Sequence, residues 1–196
     1  MTDLQPVPLP DAEIYLLRRF PSSLAPDVAL QRLIEEIPWR SETIKLWGKA
    51  MAQPRLTAWY GDPGRDYTYS GLTLKAEPWT PLLHTLKTEV ERATGAEFNS
   101  VLLNYYRHER DSVGYHSDDE KELGRNPVIA SLSFGETRTF VFKCRRKRHR
   151  PLRLELEHGS LLLMQGPTQH NWLHGIEKET RSRGPRVNLT FRRILG

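Results

Sequence analysis

Cysteine is nearly absent from this chain: Cys144 is the single one in 196 residues. One thiol excludes an internal disulfide and any metal cluster built from several cysteinates. Long apolar runs are missing too, and no stretch approaches the ~20 residues a helix needs to span a bilayer. The opening MTDLQPVPLPDAEIY lacks the basic-then-apolar order of a secretory leader. These absences predict a soluble, intracellular protein that does not engage membranes. The expected location is the bacterial cytoplasm, associated with the nucleoid, or the nucleus if the source is eukaryotic. Internal repeats and long low-complexity tracts are also lacking, and the length suits one compact, monomeric domain over 1–196.

What is present is a globular composition, 38% hydrophobic and 27% charged. The net charge of +5 is modest but unevenly spread. Lys143 to Arg150 holds six Lys/Arg in eight residues, and Arg181 to Arg193 holds five more Arg. Clustering of this kind points to a polyanion, most often nucleic acid, with a solvated basic loop as the plain alternative. Cys144 lies inside the first cluster and is read as incidental.

Helices come first and strands later. The first dozen residues are Pro-rich and form an extension. Leu30, Leu33, Ile34 and Ile37 fall at helical spacing before Pro38, and a second helix is predicted from Trp79 to Ala93, opened by Pro81 and stopped by Gly95. From Phe98 onward short strands are predicted at Phe98–Tyr106, Pro127–Phe134, Arg138–Lys143, Leu152–Leu156, Ser160–Met164 and Arg186–Ile194, separated by Gly-containing turns. Tyr67 and Tyr69 sit in a Gly-bounded hairpin or flap between Asp62 and Leu74. The order suggests a mostly β fold with flanking helices, its core a jelly roll.

Within the last strand, Arg186, Asn188, Thr190 and Arg192 alternate with Val187, Leu189 and Phe191. Residues two apart share a face of a strand, so two guanidiniums, an amide and a hydroxyl point one way. Such a face suits an anion, because the guanidinium fork binds carboxylate bidentately and stays charged. An edge strand with a solvated polar face has the same pattern.

His116-Ser117-Asp118 places two metal-ligating side chains on one side of an extended segment. A third ligand must come from downstream: His149, His158, His170 and His174 are the candidates, and the basic loop and the turn make His149 and His158 the more solvent-facing. His174-Gly175 would end a turn. Two imidazoles and one carboxylate suit non-haem Fe(II), with Zn(II) the main alternative.

Several segments then occur in a telling order: Asn104-Tyr105-Tyr106, His116-Ser117-Asp118-Asp119-Glu120, Ile129 to Gly135, His158-Gly159-Ser160-Leu161-Leu162, His174 and RVNLTFR. From Trp47 to Leu195 the chain resembles the AlkB family of Fe(II)- and 2-oxoglutarate-dependent nucleic-acid dioxygenases, most closely the branch of homologs 2 and 3. The resemblance implies a double-stranded β-helix core over 98–196, a nucleotide-recognition flap region over 46–75 and an N-terminal extension and helix over 1–45. It implies that His116, Asp118 and His174 bind iron. It also implies that Asn104, Tyr106, Arg186, Asn188 and Arg192 bind 2-oxoglutarate, with Arg192 on the C5 carboxylate and Arg186 near the oxalyl end.

The implied activity is oxidative removal of N-alkyl lesions such as N1-methyladenine and N3-methylcytosine, yielding formaldehyde, succinate and CO2. An RNA or protein demethylase, or an inactive nucleic-acid-binding module, is the alternative. The implied partner is alkylated DNA, double- or single-stranded, with RNA as a further substrate. A base in a duplex must be flipped out to reach such a centre. Tyr67-Thr68-Tyr69-Ser70-Gly71 resembles the family's aromatic substrate flap, so Tyr67 and Tyr69 are expected to border the base, and Asp119 and Glu120, which follow the metal motif, to read the lesion's exocyclic edge; packing tyrosines and solvated acids are the plain alternative. Trp47 occupies the place of a hydrophobic finger, or else is core, and Arg55 follows it towards the nucleic-acid backbone or the orphan gap. Arg145, Arg146 and Arg148 are expected to grip phosphates, which fixes register without reading sequence.

Overall fold

The computed structural model describes residues 4–46, 49–65, 67–69 and 72–195, with backbone alone at 44–46, 49–50, 67–69 and 72–74. Strands β1 (Gln5–Pro6) and β2 (Glu13–Leu17) precede helix α1 (Pro26–Glu36). Strands β3 (Thr43–Leu46), β4 (Lys49–Ala52), β5 (Leu56–Gly61), β6 (Tyr67–Tyr69) and β7 (Leu72–Leu74) lead to helix α2 (Pro81–Thr94). Then come β8 (Ser100–Tyr106), β9 (Val113–His116), β10 (Ile129–Gly135), β11 (Arg138–Cys144), β12 (Leu152–Leu156) and β13 (Ser160–Gln165). The one-turn helix α3 (Thr168–Asn171), β14 (Trp172–Ile176) and β15 (Arg186–Arg192) complete the chain.

Two antiparallel sheets face each other as a jelly roll. The larger runs β1-β2-β13-β10-β15-β8-β5 and the smaller β12-β11-β14-β9. The alternation along each strand of the large sheet decides its two faces. Val101, Leu103, Leu132, Phe134, Leu161, Leu163, Val187, Leu189 and Phe191 join Leu33, Leu82, Leu83, Leu86 and Val90 in one core beneath the helices. The intervening Leu102, Tyr106, Ile129, Leu162 and Met164 meet Phe140, Phe142, Trp172 and Ile176 of the small sheet in a second core.

Both helices form where the apolar spacing predicts them. Helix α2 is bounded by local chemistry: Thr80 caps its start, its hydroxyl accepting from the Leu83 N–H at 3.2 Å, and Pro81 occupies the first turn. Gly95 ends it in the left-handed region at φ 71°, its N–H bonded to Glu91 O. None of the described helices is long and apolar enough to cross a membrane.

The large sheet reaches beyond the expected 98–196 core. Strand β2 pairs with β13 and β5 with β8, so parts of the N-terminal extension and of 46–75 belong to the sheet. Strands β2, β5, β9 and β14 are absent from the predicted set. His174-Gly175, expected to end a turn, lies inside β14, which pairs with β11 on one side and β9 on the other. A Cβ at Gly175 would stand 2.9 Å from Val113 O, so the missing side chain lets the β9 backbone approach.

Candidate active site

The metal triad is assembled by strand pairing. His116 ends β9 and lies opposite His174 of β14, with ring centroids 4.5 Å apart. Asp118 follows two residues after His116, and the ligand atoms of His116, Asp118 and His174 all lie within 4.8 Å of one another. The structure therefore selects His174 from the four downstream histidines. His149 is exposed and stacks on Trp172, His170 is exposed and bonded to Asn126, and the Nδ1 of His158 accepts from the Gly135 N–H.

Asp118 and His174 are buried, 1% and 3% exposed. Burial alone would raise the Asp118 carboxyl, but Arg192 and the two imidazoles outweigh it and hold it down at about 2. Its Oδ1 accepts from Nη2 of Arg192 at 2.6 Å. Burial pushes His174 down to about 3, with His116 and Arg192 adding to the effect against Asp118, so the imidazole is neutral and can offer a lone pair. Nδ1 of His116 stands 2.8 Å from Gly114 O. A carbonyl only accepts, so the ring proton is placed on Nδ1 and Nε2 is left to ligate.

Asp118 Oδ2 is buried without a hydrogen-bond partner among the described residues, and it stands 3.8 Å from Nε2 of His174. Buried polar atoms of that kind demand an explanation, and a divalent cation supplies one. Two imidazoles and an ionised carboxylate are a donor set that fits Fe(II).

The polar face of β15 forms one wall of the same pocket, facing the small sheet. All of β15 is buried, because it runs between β10 and β8 in the middle of the large sheet. The solvated edge strand is thereby excluded. Arg186 lies in register with Tyr106, and Asn188 with Asn104, so the two predicted motifs are cross-strand neighbours. Hydrogen bonds chain the wall together: Arg186 Nη2 to Ser133 Oγ at 2.9 Å, Asn188 Nδ2 to Ser131 Oγ at 2.7 Å, and Thr190 Oγ1 to Asn188 Oδ1 at 3.0 Å.

The two arginines occupy different ends. Arg192 is bonded to the triad carboxylate, whereas Arg186 lies six residues away along the strand, about 20 Å between Cα atoms at ~3.3 Å per residue. Its guanidinium sits 5.1 Å from the Tyr106 ring, 1% exposed, with Nε and Nη1 lacking hydrogen-bond partners among the described residues. This order reverses the expectation that Arg192 takes the far carboxylate and Arg186 the oxalyl end. Arg192 is held beside the metal ligands by Asp118.

Two other assignments change. Arg55 is not on a nucleic-acid-facing surface: it is 5% exposed, lines the pocket, and donates through Nε to Asn104 Oδ1 at 2.6 Å. Its position just before β5, a strand of the large sheet, turns it inward. Arg145 is exposed like Arg146 and Arg148 but is already engaged, because its Nη2 donates to Ser117 Oγ and to Asp119 Oδ2, the latter at 2.5 Å. It thereby ties the basic loop to the metal-binding segment and engages Asp119, while Glu120 is half-buried. Trp47 lies outside the described residues, as do the side chains of Tyr67 and Tyr69, whose backbone pairs with that of 72–74 in a hairpin.

Sequence reasoning missed Ser131, Ser133, Phe140 and Gln169. The serines had a signal, since Ser131 and Ser133 interrupt an apolar strand with period 2 and so share a face. Phe140 stacks on His174 at 5.2 Å, and its strand was foreseen but its role was not. Gln169, wholly buried, accepts from the Asp118 N–H at 3.0 Å and had no signal in the sequence.

Comparison with known proteins agrees with this geometry. Residues 13–192 match the profile of the 2OG-Fe(II) oxygenase superfamily. The chain is 48% identical over 180 residues to the alpha-ketoglutarate-dependent dioxygenase alkB homolog 3 of Homo sapiens, covering 86% of this chain and 61% of that protein. It is 44% identical over 173 residues to the DNA oxidative demethylase ALKBH2 of Mus musculus, covering 85% and 72%. The solved structure of OsALKBH1 aligns with a TM-score of 0.67 over 95% of this chain and 100% of that one, at 17% identity, a likeness of fold alone. The chain spans about three-fifths of the length of the homolog 3 proteins it matches.

Proposed function

Because this chain belongs to the 2OG-Fe(II) oxygenase superfamily, in its AlkB branch, we propose that it is an oxidative demethylase of alkylated nucleic acid that uses Fe(II), 2-oxoglutarate and O2. The observation that carries this reading is the single pocket lined at once by His116, Asp118, His174, Arg186 and Arg192. A divalent cation and a dianion are the two ligands such a wall can hold together.

In this reading His116, Asp118 and His174 hold the iron. Iron, 2-oxoglutarate and O2 together supply the oxidising power to hydroxylate an N-methyl carbon, with succinate and CO2 as co-products. The hydroxymethyl group then leaves as formaldehyde. Arg186 receives the carboxylate of 2-oxoglutarate distant from the metal, with Tyr106 beside it and two buried N–H groups to offer. Arg192 fixes Asp118 and presents positive charge at the oxalyl end. Asn104 and Asn188 orient the chain of the cosubstrate between them, and Arg55 keeps Asn104 in place. The low exposure of Asp118 and His174 keeps water away from the reacting centre.

Alkylated DNA is the proposed substrate, N1-methyladenine and N3-methylcytosine the proposed lesions, and a monomer the proposed acting form. The relatives named DNA oxidative demethylase support DNA, and RNA stays a substrate to be tested. The exposed Arg146 and Arg148 would contact phosphates. The 46–75 region, with Tyr67, Tyr69 and Trp47, would receive the flipped base, with Glu120 near its exocyclic edge. The compartment would be whichever holds the nucleic acid: the bacterial cytoplasm or a nucleus. The test is formaldehyde release from methylated single- and double-stranded DNA and RNA oligonucleotides, with and without Fe(II) and 2-oxoglutarate. Release only when both are supplied is the expected result; no release from any methylated strand overturns the proposal.

A further inference from the structure

Two separate stretches of chain bring ligands to the triad: the segment after β9 carries Asp118, and the segment from α3 into β14 carries His174. Strand pairing fixes the histidines, but Asp118 lies beyond the end of β9 and has no ladder to place it. One buried hydrogen bond joins the two stretches there: the Asp118 N–H donates to Oε1 of Gln169 at 3.0 Å. Gln169 lies five residues before His174 and is 0% exposed. Its Nε2 stands 3.8 Å from Sδ of Met164, which gives the amide one consistent orientation, oxygen towards Asp118 and N–H towards sulfur.

The base of this strut is anchored without Gln169. The Thr168 hydroxyl accepts from the Glu13 N–H at 2.9 Å and donates to Gln165 O at 2.6 Å. Asn171 donates to Asp11 O at 3.0 Å, and the Trp172 indole to Pro10 O at 2.8 Å. Helix α3 is therefore clamped to the N-terminal segment, and Gln169 projects from a fixed platform. A neutral acceptor is also the right chemistry, since it satisfies the N–H without disturbing the charge balance between Asp118 and Arg192.

We propose that Gln169 is a positioning residue for the metal: by holding the Asp118 backbone it sets the carboxylate's distance from His174, and with it the triad's affinity for a divalent cation. The proposal rests on the metal reading of the triad. Removing a group that orients a ligand typically weakens metal binding ~10–100-fold.

The experiment measures binding of Mn(II) and Co(II) to the full chain, without O2, by chelator competition, alongside thermal melting of the metal-free protein. Gln169→Met keeps length and loses the acceptor. The expected result is binding weakened ~10–100-fold, with an altered Co(II) absorption spectrum. His170→Ala, an exposed change on the same short helix, should leave affinity unchanged. Parent-like affinity in Gln169→Met overturns the proposal even if its melting temperature falls, and so does an equal loss in His170→Ala. If Gln169→Met does not fold, Gln169→Leu decides: parent-like affinity without the acceptor overturns the proposal. A parent chain that binds neither metal refutes the metal reading itself, a distinct outcome.

Discussion

Replacing Arg186 by Met should stabilise the protein and cripple it. The guanidinium is buried, and burial pushes it down to about 10 despite the neighbouring Tyr106. At about 1.4 kcal/mol per unit, the charged form carries a cost on the order of 3 kcal/mol in the cosubstrate-free protein. Met fills similar space without charge. The change forfeits the bond to Ser133 Oγ, about 1 kcal/mol. The net is a gain of about 2 kcal/mol, or roughly 4–8 °C in melting temperature for a domain of this size. Buried ions replaced by apolar side chains behave this way elsewhere. With 2-oxoglutarate the sign reverses. Deleting one partner of a buried charge pair costs about 2–5 kcal/mol, which corresponds to ~30- to ~4000-fold weaker binding. Calorimetric melting of the cosubstrate-free protein, and titration of 2-oxoglutarate into the Mn(II)-loaded protein without O2, read the two effects separately. A lower melting temperature together with unchanged 2-oxoglutarate affinity would refute the reasoning, because Arg186 would then be a structural residue.

Three further outcomes follow from the same geometry. Glu89 on α2 accepts from the Ser22 hydroxyl at 2.7 Å and the Ser23 N–H at 2.9 Å. Burial would raise its carboxyl, but these donors and Arg92 hold it below the usual range. Its stabilisation is thus present above the unfolded carboxylate value of about 4.3 and is lost as pH falls through the lower folded value. Glu89→Gln should cost about 1–3 kcal/mol at pH 7 by urea unfolding and converge on the parent in acid; a pH-independent difference would deny the linkage. Neutralising Arg146 and Arg148 together should reduce the slope of log K against log salt by about 1.5–2 for nucleic-acid binding; an unchanged slope would leave the loop a solvated face. Gly175→Ala would set a Cβ 2.9 Å from Val113 O, pushing β9 from β14 and separating His116 from His174. Metal binding should fall at least ~10-fold, as when groups supporting a ligand are lost, and parent-like affinity would mean that the strands adjust.

The sequence made the polar half of the site legible and left its supports hidden, for a physical reason. Period-2 alternation survives in any strand, so the face shared by Arg186, Asn188, Thr190 and Arg192 could be read directly. What it faced could not, because the pattern is the same for an edge strand and for β15, which lies between β10 and β8. The strand β14 was hidden because His174-Gly175 carries a turn-like glycine, and only the approach of the β9 backbone explains it. Arg55 and Gln169 were misread or unseen because their roles rest on hydrogen bonds to groups far along the chain, 49 and 57 residues away for Arg55 and 51 for Gln169. No local periodicity records contacts of that separation. The helices were easier, since apolar spacing, Pro at the first turn and Gly at the end are all local signals.

The reversed order of the arginines has a consequence for how the pocket fills. Arg192 is already matched by Asp118 at 2.6 Å, so it offers little net charge to an incoming carboxylate. Arg186, by contrast, is buried with no carboxylate partner among the described residues: its Nη2 donates to the Ser133 hydroxyl, and its Nε and Nη1 have no hydrogen-bond partner there. On the proposed reading, a dianionic cosubstrate brought to the metal-free pocket meets Arg186 at one end, Arg55 turned to Asn104 along the wall, and at the triad end only Arg192, compensated by Asp118, so its carboxylate at the triad end stays unneutralised in a desolvated site. Burying a charge in that state costs several kcal/mol. A divalent cation on the triad removes the deficit, since it adds two positive charges where the oxalyl end must lie. The pocket's own charges therefore favour the metal before the cosubstrate. 2-Oxoglutarate should bind the Mn(II)-loaded protein at least ~100-fold more tightly than the metal-free protein, a coupling of about 3 kcal/mol. By the reciprocity of linkage, it should tighten Mn(II) binding by the same factor. Equal affinity for the two forms would place the dianion away from the triad and break the link between β15 and the metal.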